Sequence, residues 1–235
     1  MSVAVSLLAG VLFGLALAAP PGPMNAVIAE ESVLRGRRAG FRAGLGAMSA
    51  DVVFFALASL GLVALVQRVP VVRALMAGGG GVLMCYFAYG AARDAAAADA
   101  SLVDLGTDRD PAAESRGFRK AFALALTNPY QVLFWLTVGV KLLAPGRLDP
   151  LSHVPYVGAS LRGVVVVTTG SPALLVGFFG GILIWIVGFP AALVAAGRRL
   201  DALAPLVAGG SAVVLAGFGV AFLADAAGVL LPLLG

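Results

Sequence analysis

Residues 3–29 form an apolar run long enough to cross a bilayer, and the stretch Pro20-Pro21-Gly22-Pro23-Met24-Asn25 interrupts it. A proline inside a helix removes a backbone donor and clashes with the preceding turn, so three prolines in four residues forbid a continuous helix. Within a membrane, backbone freed of its hydrogen bonds is tolerated only where protein buries it or where it lines a polar cavity. The cluster therefore marks a hinge or a site, with Pro20, Pro21, Gly22 and Pro23 as the hinge candidates.

The rest of the chain repeats the apolar pattern. Hydrophobic residues make up 60% of the 235 positions and charged residues 12%, against about a quarter charged in soluble domains. Spans of about 20 apolar residues fit at 3–29, 43–66, 71–92, 118–144, 172–196 and 205–231. The fold class expected is an all-α integral membrane protein of six transmembrane helices. The turn at 67–70 is short enough to make the second and third spans antiparallel neighbours. Residues 93–116 carry Asp94, Asp99, Asp104, Asp108, Asp110 and Glu114 among alanines and read as a solvated loop. Residues 145–171, with Pro145, Pro150 and Pro155, read as a second loop in which 163–167 offers a helix start. Ala16-Leu17-Ala18 has the small-residue look of a leader cleavage site, but no basic residue precedes the apolar run, which argues against a signal peptide.

Charge sets the orientation. With the first connection cytoplasmic, the inner side holds Arg35, Arg37, Arg38, Arg42, Arg93, Arg109, Arg116, Arg119, Lys120, Arg198 and Arg199 of the 16 basic residues, and Arg68, Arg73, Lys141, Arg147 and Arg162 lie outside. The excess near the early spans places both termini outside the cytoplasmic membrane. The net charge of +4 follows from this loop bias, and no nucleic-acid partner is expected; the lipid bilayer is. A homo-oligomer is compatible with the sequence. Cys85 stands alone, which excludes an intrachain disulfide and paired-cysteine redox chemistry. With His153 it cannot build a zinc site of the usual kind, so no metal or other cofactor is expected.

Each half opens with a span broken by proline beside asparagine, Pro23 with Asn25 and Asn128 with Pro129. Three spans per half invert the second half relative to the first. The chain thus reads as one transmembrane domain with a first three-helix repeat at 1–92, a cytoplasmic loop at 93–117 and a second repeat at 118–235, helices 1 and 4 being proline-broken. Paired interruptions of this kind point to a solute site near the midplane. At ~1.5 Å per residue, Pro23, Asp51, Pro129 and Pro190 all lie roughly 10 to 13 Å inward from the nearest cytoplasmic charge. Pro129 and Pro190 join the hinge candidates on that ground.

Asp51 is the acid nearest the middle of a span, where a charge costs ~2.5 to 3.5 kcal/mol on insertion scales. Gly40, Gly44, Ala47 and Phe55 share its helical face, and small residues suit close packing, so Asp51 is expected to point into the bundle. It is either a functional acid or a structural one bonded to Asn25 or Asn128. Those asparagines are binding candidates or partners of freed backbone groups. Trp135, Trp185, Tyr86, Tyr89 and Tyr130 read mainly as lipid-facing or interfacial, with a substrate path as the minority reading. Glu30 and Glu31 read as compensating the arginines after them, Asp225 as interfacial, and Lys141 as snorkelling to the outer surface. Gly78 to Gly81, Gly177, Gly180, Gly181 and Gly188 read as packing positions.

Pro21-Gly22-Pro23, then Gly36-Arg37-Arg38-Ala39-Gly40, Gly44-Leu45-Gly46, Ser49-Ala50-Asp51 and Gly61-Leu62 resemble the LysE/RhtB family of amino-acid exporters. Asn128-Pro129 resembles that family's second hallmark. The resemblance extends over the first hundred residues, through Tyr86 to Asp94, and fades after Pro145. It implies a six-span exporter of amino acids or related small solutes, driven by the proton-motive force or the membrane potential. Asp51, Asn25, Asn128, Tyr130 and Gln131 are then the candidates for binding substrate or proton. Two departures, Met24 between Pro23 and Asn25 and Tyr130-Gln131 after Asn128-Pro129, leave the substrate open. The rival readings are a permease for another small solute or a metal cation in the same fold, and a membrane scaffold that transports nothing. An intramembrane enzyme would need a nucleophile and base at one depth, which Asp51 without a nearby histidine does not supply.

The orientation is directly testable. In a Cys85→Ser background, a cysteine replacing Ser2 should react with a membrane-impermeant maleimide in intact cells, and Arg38→Cys only after permeabilisation. The opposite pattern would invert the topology.

Overall fold

A break that spares its flanking helices requires a residue that starts the next helix well, and proline does this because its missing N–H falls on a group that lacks an intrahelical partner anyway. Five of the described helices begin on proline. The computed structural model describes residues 3–61, 69–100, 111–148, 166–197 and 203–233. Its helices are α1 (Val3–Ala18), α2 (Pro23–Arg35), α3 (Arg37–Ser59), α4 (Pro70–Ala100), α5 (Pro111–Leu126), α6 (Pro129–Phe134), α7 (Val140–Leu143), α8 (Pro172–Gly197) and α9 (Leu203–Leu230), with a π-helical turn at Trp135–Gly139 between α6 and α7. Gly36, between α2 and α3, has φ of 89°, a conformation that disfavours side chains.

The molecule is a mostly helical membrane protein. Among the described residues four helices are long and apolar enough to cross a bilayer, Arg37–Ser59, Pro70–Arg93, Pro172–Gly197 and Pro205–Leu230; α1 and α2 pass the same test taken together, as a pair bent by 83° at the break. The stretch 118–144 is divided among α5, α6, the π turn and α7. Several boundaries differ from the sequence expectation. The helix expected from residue 43 already starts at Arg37, and α4 runs on to Ala100 while α5 begins at Pro111, so both ends of the connection expected as loop are helical. Alanine-rich sequence favours this. The expected loop 145–171 is pinned at its ends: β1 (Gly146–Leu148) pairs antiparallel with β2 (Val167–Thr169), Thr169 Oγ1 donates to Ala144 O at 2.7 Å, and Gly170 N to Leu142 O at 2.8 Å. Val167, expected as the end of a helix start, is therefore in a strand. Residues 62–68, which take in the end of the span expected to 66 and the first half of the turn expected at 67–70, the middle of the expected acidic connection at 101–110, residues 149–165 with His153, and Arg198-Arg199 lie outside the described residues.

Small residues set the packing. The buried face of α1 is Ser6, Gly10 and Gly14, and it meets Leu174, Gly177, Phe178 and Gly181 of α8. A Cβ on Gly10, Gly14, Gly177 or Gly181 would strike a backbone carbonyl of the opposite helix. Backbones this close gain van der Waals contact that lipid cannot match. Gly81 and Gly219 join α4 to α9 in the same way, and Gly46 brings α3 against Phe118 of α5. The principal packed pairs are α1 with α8, α3 with α5, and α4 with α9, while α2 packs against α3, α5, α8 and α9. The outer surface is apolar, with Leu8 of α1, Val176 of α8 and Val213 of α9 each at least 60% exposed, as suits a lipid solvent. Of the glycines expected as packing positions, Gly79, Gly180 and Gly188 face open space, where an added methyl group would meet nothing within 4 Å.

Gly177→Ala and Gly180→Ala differ by three positions and one face. Gly177→Ala is expected to cost about 1 to 3 kcal/mol through overpacking, and Gly180→Ala to fall within about 0.5 kcal/mol. Reversible unfolding in mixed micelles measures both; equal effects would contradict the α1–α8 contact.

Candidate functional site

The first break is held by its own asparagine. Gly22 is extended (φ −177°, ψ 179°) and leads into Pro23, the first residue of α2. Asn25 Nδ2 donates to Ala18 O and to Pro20 O, both at 2.7 Å, so one side chain takes up carbonyls that the lost turn released. Its Oδ1 accepts from Trp185 Nε1 of α8 at 3.0 Å. Asn25 thus acts as a partner of freed backbone groups and, at the same time, ties the break to α8.

The second break uses the same chemistry. Thr127 Oγ1 donates to Ala123 O at 2.8 Å, and Asn128 caps α6 by accepting the Tyr130 N–H on Oδ1 at 3.0 Å. Pro129 occupies the first position of α6, and Gln131 N donates to Asn128 O at 3.1 Å. The N-terminal donors of α6 are therefore satisfied locally. Beyond α6 the chain widens into the π turn, a deviation common at functional sites, and its first residue is Trp135.

Asp51 of α3 points into the bundle and is 6% exposed. Its partners are not the asparagines that the sequence suggests. Oδ1 accepts from Gln131 Nε2 at 2.6 Å and from Trp135 Nε1 at 2.8 Å. Gln131 and Trp135 sit four residues apart, on one face, and each bond to a charged acceptor is worth about 1.5 to 3 kcal/mol. Trp135, expected to face lipid, is instead wholly buried, edge-on to Phe55 and Phe178 with ring centroids 5.9 and 5.8 Å away. Its indole N–H in the interior needs a partner, and Asp51 is that partner.

The two breaks and Asp51 enclose a cavity of about 410 Å³, within the ~300 to 1,000 Å³ range of small-molecule sites. Pro20, Pro21, Gly22, Pro23, Met24, Asn25, Asp51, Asn128, Tyr130 and Gln131 line it, with Trp185, Ile186, Phe134, Met48 and Phe218 among the apolar walls. Asp51 is the charged side chain among the described lining residues. Pro129, the residue between the lining Asn128 and Tyr130, is not itself among the lining residues. Pro190 is placed elsewhere: α8 runs through it without interruption, and it is buried in the packing rather than at the cavity. Tyr86 and Tyr89 are outside the cavity and about two-thirds exposed, as expected of lipid-facing rings.

A second polar cluster has no counterpart in the sequence reading. Glu30 does not serve the arginines after it; both of its oxygens accept from Lys120 Nζ of α5 at 2.9 Å. The pair is buried, Glu30 at 2% and Lys120 at 9% exposure. Glu31 does bond an arginine, Arg35, at 3.0 Å. Ninety residues separate Glu30 from Lys120, so no local pattern announces the pair. For Trp135 the available signal is its four-residue spacing from Gln131.

The chain matches the LysE type translocator family over residues 15–169. It is 29% identical over 150 residues to an uncharacterized membrane protein of Pseudomonas aeruginosa, covering 60% of this chain and 64% of that one. It is 27% identical over 134 residues to the Bacillus subtilis protein named "Putative amino acid efflux protein YcgF", covering 57% of this chain and 62% of the relative. The matched part thus spans less than two-thirds of either relative. No solved structure matches. By the extent of the family match, which takes in both breaks and Asp51, the chain belongs to the LysE type translocators.

Proposed function

We propose that the protein is a secondary transporter that exports amino acids or related small solutes across the cytoplasmic membrane, coupled to the proton-motive force. The observation that carries this reading is the cavity between the two helix breaks, with the Asp51 carboxylate in its wall. An ammonium group of the solute binds Asp51, whose geometry Gln131 and Trp135 hold in advance. A carboxylate of the solute is received at the start of α2. There Pro23 has no N–H, Gly22 provides no side-chain cap, and the following N–H groups precede the first intrahelical bond, Ala26 N to Gly22 O. Asn25 at the first break, and Asn128 and Tyr130 at the second, complete the polar wall.

The transport cycle is alternating access in six spans arranged as two inverted repeats, with both termini outside. The packing supports this reading. Exchanging the first three segments with the last three turns the α1–α8 contact into the α5–α3 contact and leaves α4–α9 as itself, as an inverted repeat requires. Rocking about the breaks at Pro20 to Pro23 and at Asn128-Pro129 then exposes the cavity to each side in turn.

Asp51→Asn keeps the shape and an acceptor oxygen but removes the charge. In proteoliposomes loaded with a labelled L-amino-acid mixture, it should slow efflux of the transported component roughly 10- to 100-fold, the equivalent of a lost charge-assisted bond. Unchanged, fully gradient-coupled efflux would sink the role given to Asp51.

A further inference from the structure

A carboxyl group shut away from water keeps its charge only if every lone pair finds a donor; otherwise it is a place where a proton binds. Glu31, on α2, is 3% exposed. Its Oε1 accepts from Arg35 at 3.0 Å. Its Oε2 is the buried side-chain polar atom that no protein group bonds among the described residues. That oxygen faces α5 at Gly117, where a methyl group would lie 3.0 Å from it. The absence of a side chain at Gly117 is what leaves room for the carboxyl.

The surroundings give this orphan oxygen a mechanical connection. The neighbouring Glu30 is clamped to Lys120 of α5 through both oxygens, and Lys120 Nζ also sits 5.0 Å above the Phe87 ring of α4. The α2–α5 contact therefore includes one buried ion pair, Glu30 with Lys120, and Glu31, bonded to Arg35, feels the Lys120 charge without a bond to it. The charged groups acting on Glu31 are Arg35 and Glu30 from α2 and Lys120 from α5. Arg116 and Arg119 of α5 are solvent-exposed. Of the other helices packed on α2, α3 has Arg37, Arg38 and Arg42, all solvent-exposed, and Asp51 at the cavity. α8 has no titratable side chain and α9 has only the exposed Asp225.

We infer that Glu31 is the binding site of the coupling proton, and that its protonation state sets the strength of the Glu30–Lys120 clamp that closes α2 against α5. This rests on the transporter reading above, and in the orientation proposed there the clamp lies at the cytoplasmic end of the bundle. With Glu31 ionised, Lys120 is attracted by two acids and the clamp is tight. A proton that arrives from outside while the cavity is open outward, once taken onto Oε2, removes one of those charges and loosens the clamp, opening the cavity inward. The proton leaves to the cytoplasm, solute enters, and the restored charge recloses the clamp. One proton enters for each turnover that carries solute out, with no covalent change.

The test uses the full chain in proteoliposomes with the labelled L-amino-acid mixture. Glu31→Gln, which mimics the protonated acid, should lose at least about 10-fold of the acceleration that a pH gradient gives to wild-type efflux. Infrared difference spectra across a pH step should show a protonated-carboxyl band that vanishes in Glu31→Gln and survives in Asp51→Asn. Should Glu31→Gln not fold, Glu31→Asp should still transport but with a shifted pH midpoint. Gradient acceleration retained in Glu31→Gln, a band that survives it, or an unmoved midpoint in Glu31→Asp would each overturn the proton site alone. A wild-type protein that moves no labelled solute, either by gradient-driven efflux or by exchange of internal for external solute, would overturn the transporter reading together with it.

Discussion

A peptide group without a hydrogen-bond partner costs several kcal/mol in hydrocarbon, and the prolines at 20, 21, 23 and 129 leave several such groups near the centre of this molecule. Everything around the cavity answers that constraint. Asn25 returns its amide to the carbonyls of Ala18 and Pro20, Thr127 bonds back to Ala123, and Asn128 caps the helix that Pro129 starts. Because these short polar side chains satisfy the backbone locally, the breaks need no bulky neighbours, and the space that is left becomes the cavity.

The buried charges fall into two kinds. Glu30 and Lys120 neutralise each other through two short bonds, and a pair of this kind mainly fixes which helices meet, since its desolvation offsets most of its attraction. Asp51 has only neutral donors, from Gln131 and Trp135. Its bonds set its geometry but do not neutralise its charge. Glu31 stands between the two cases, with one oxygen on Arg35 and the other on no protein group among the described residues.

Several of these features are legible in the chain alone. The proline clusters mark the breaks because proline's effect on a helix is local and steric. Asp51 marks itself by being an acid inside an apolar span, and its direction follows from the glycines on its face. The departures have one source. Residue type and neighbours mislead for Trp135 and Glu30 because their partners, Asp51 and Lys120, lie far away in sequence. Depth groups Pro190 with the breaks, but α8 passes through it. One proline in a long helix packed on both α1 and α3 can be absorbed where a cluster of three cannot.

By itself, the sequence determined the apolar spans, the two breaks, the acid at the centre and the family signature, since each depends on local sterics or on the cost of taking a charge out of water. Only the tertiary structure decided that Asp51 meets Gln131 and Trp135, that Asn25 is tied to Trp185, and that Glu30 closes on Lys120. Those choices depend on which glycine stripe packs on which backbone, and a difference in approach of a fraction of an ångström between helices is not encoded in any one stretch of the chain.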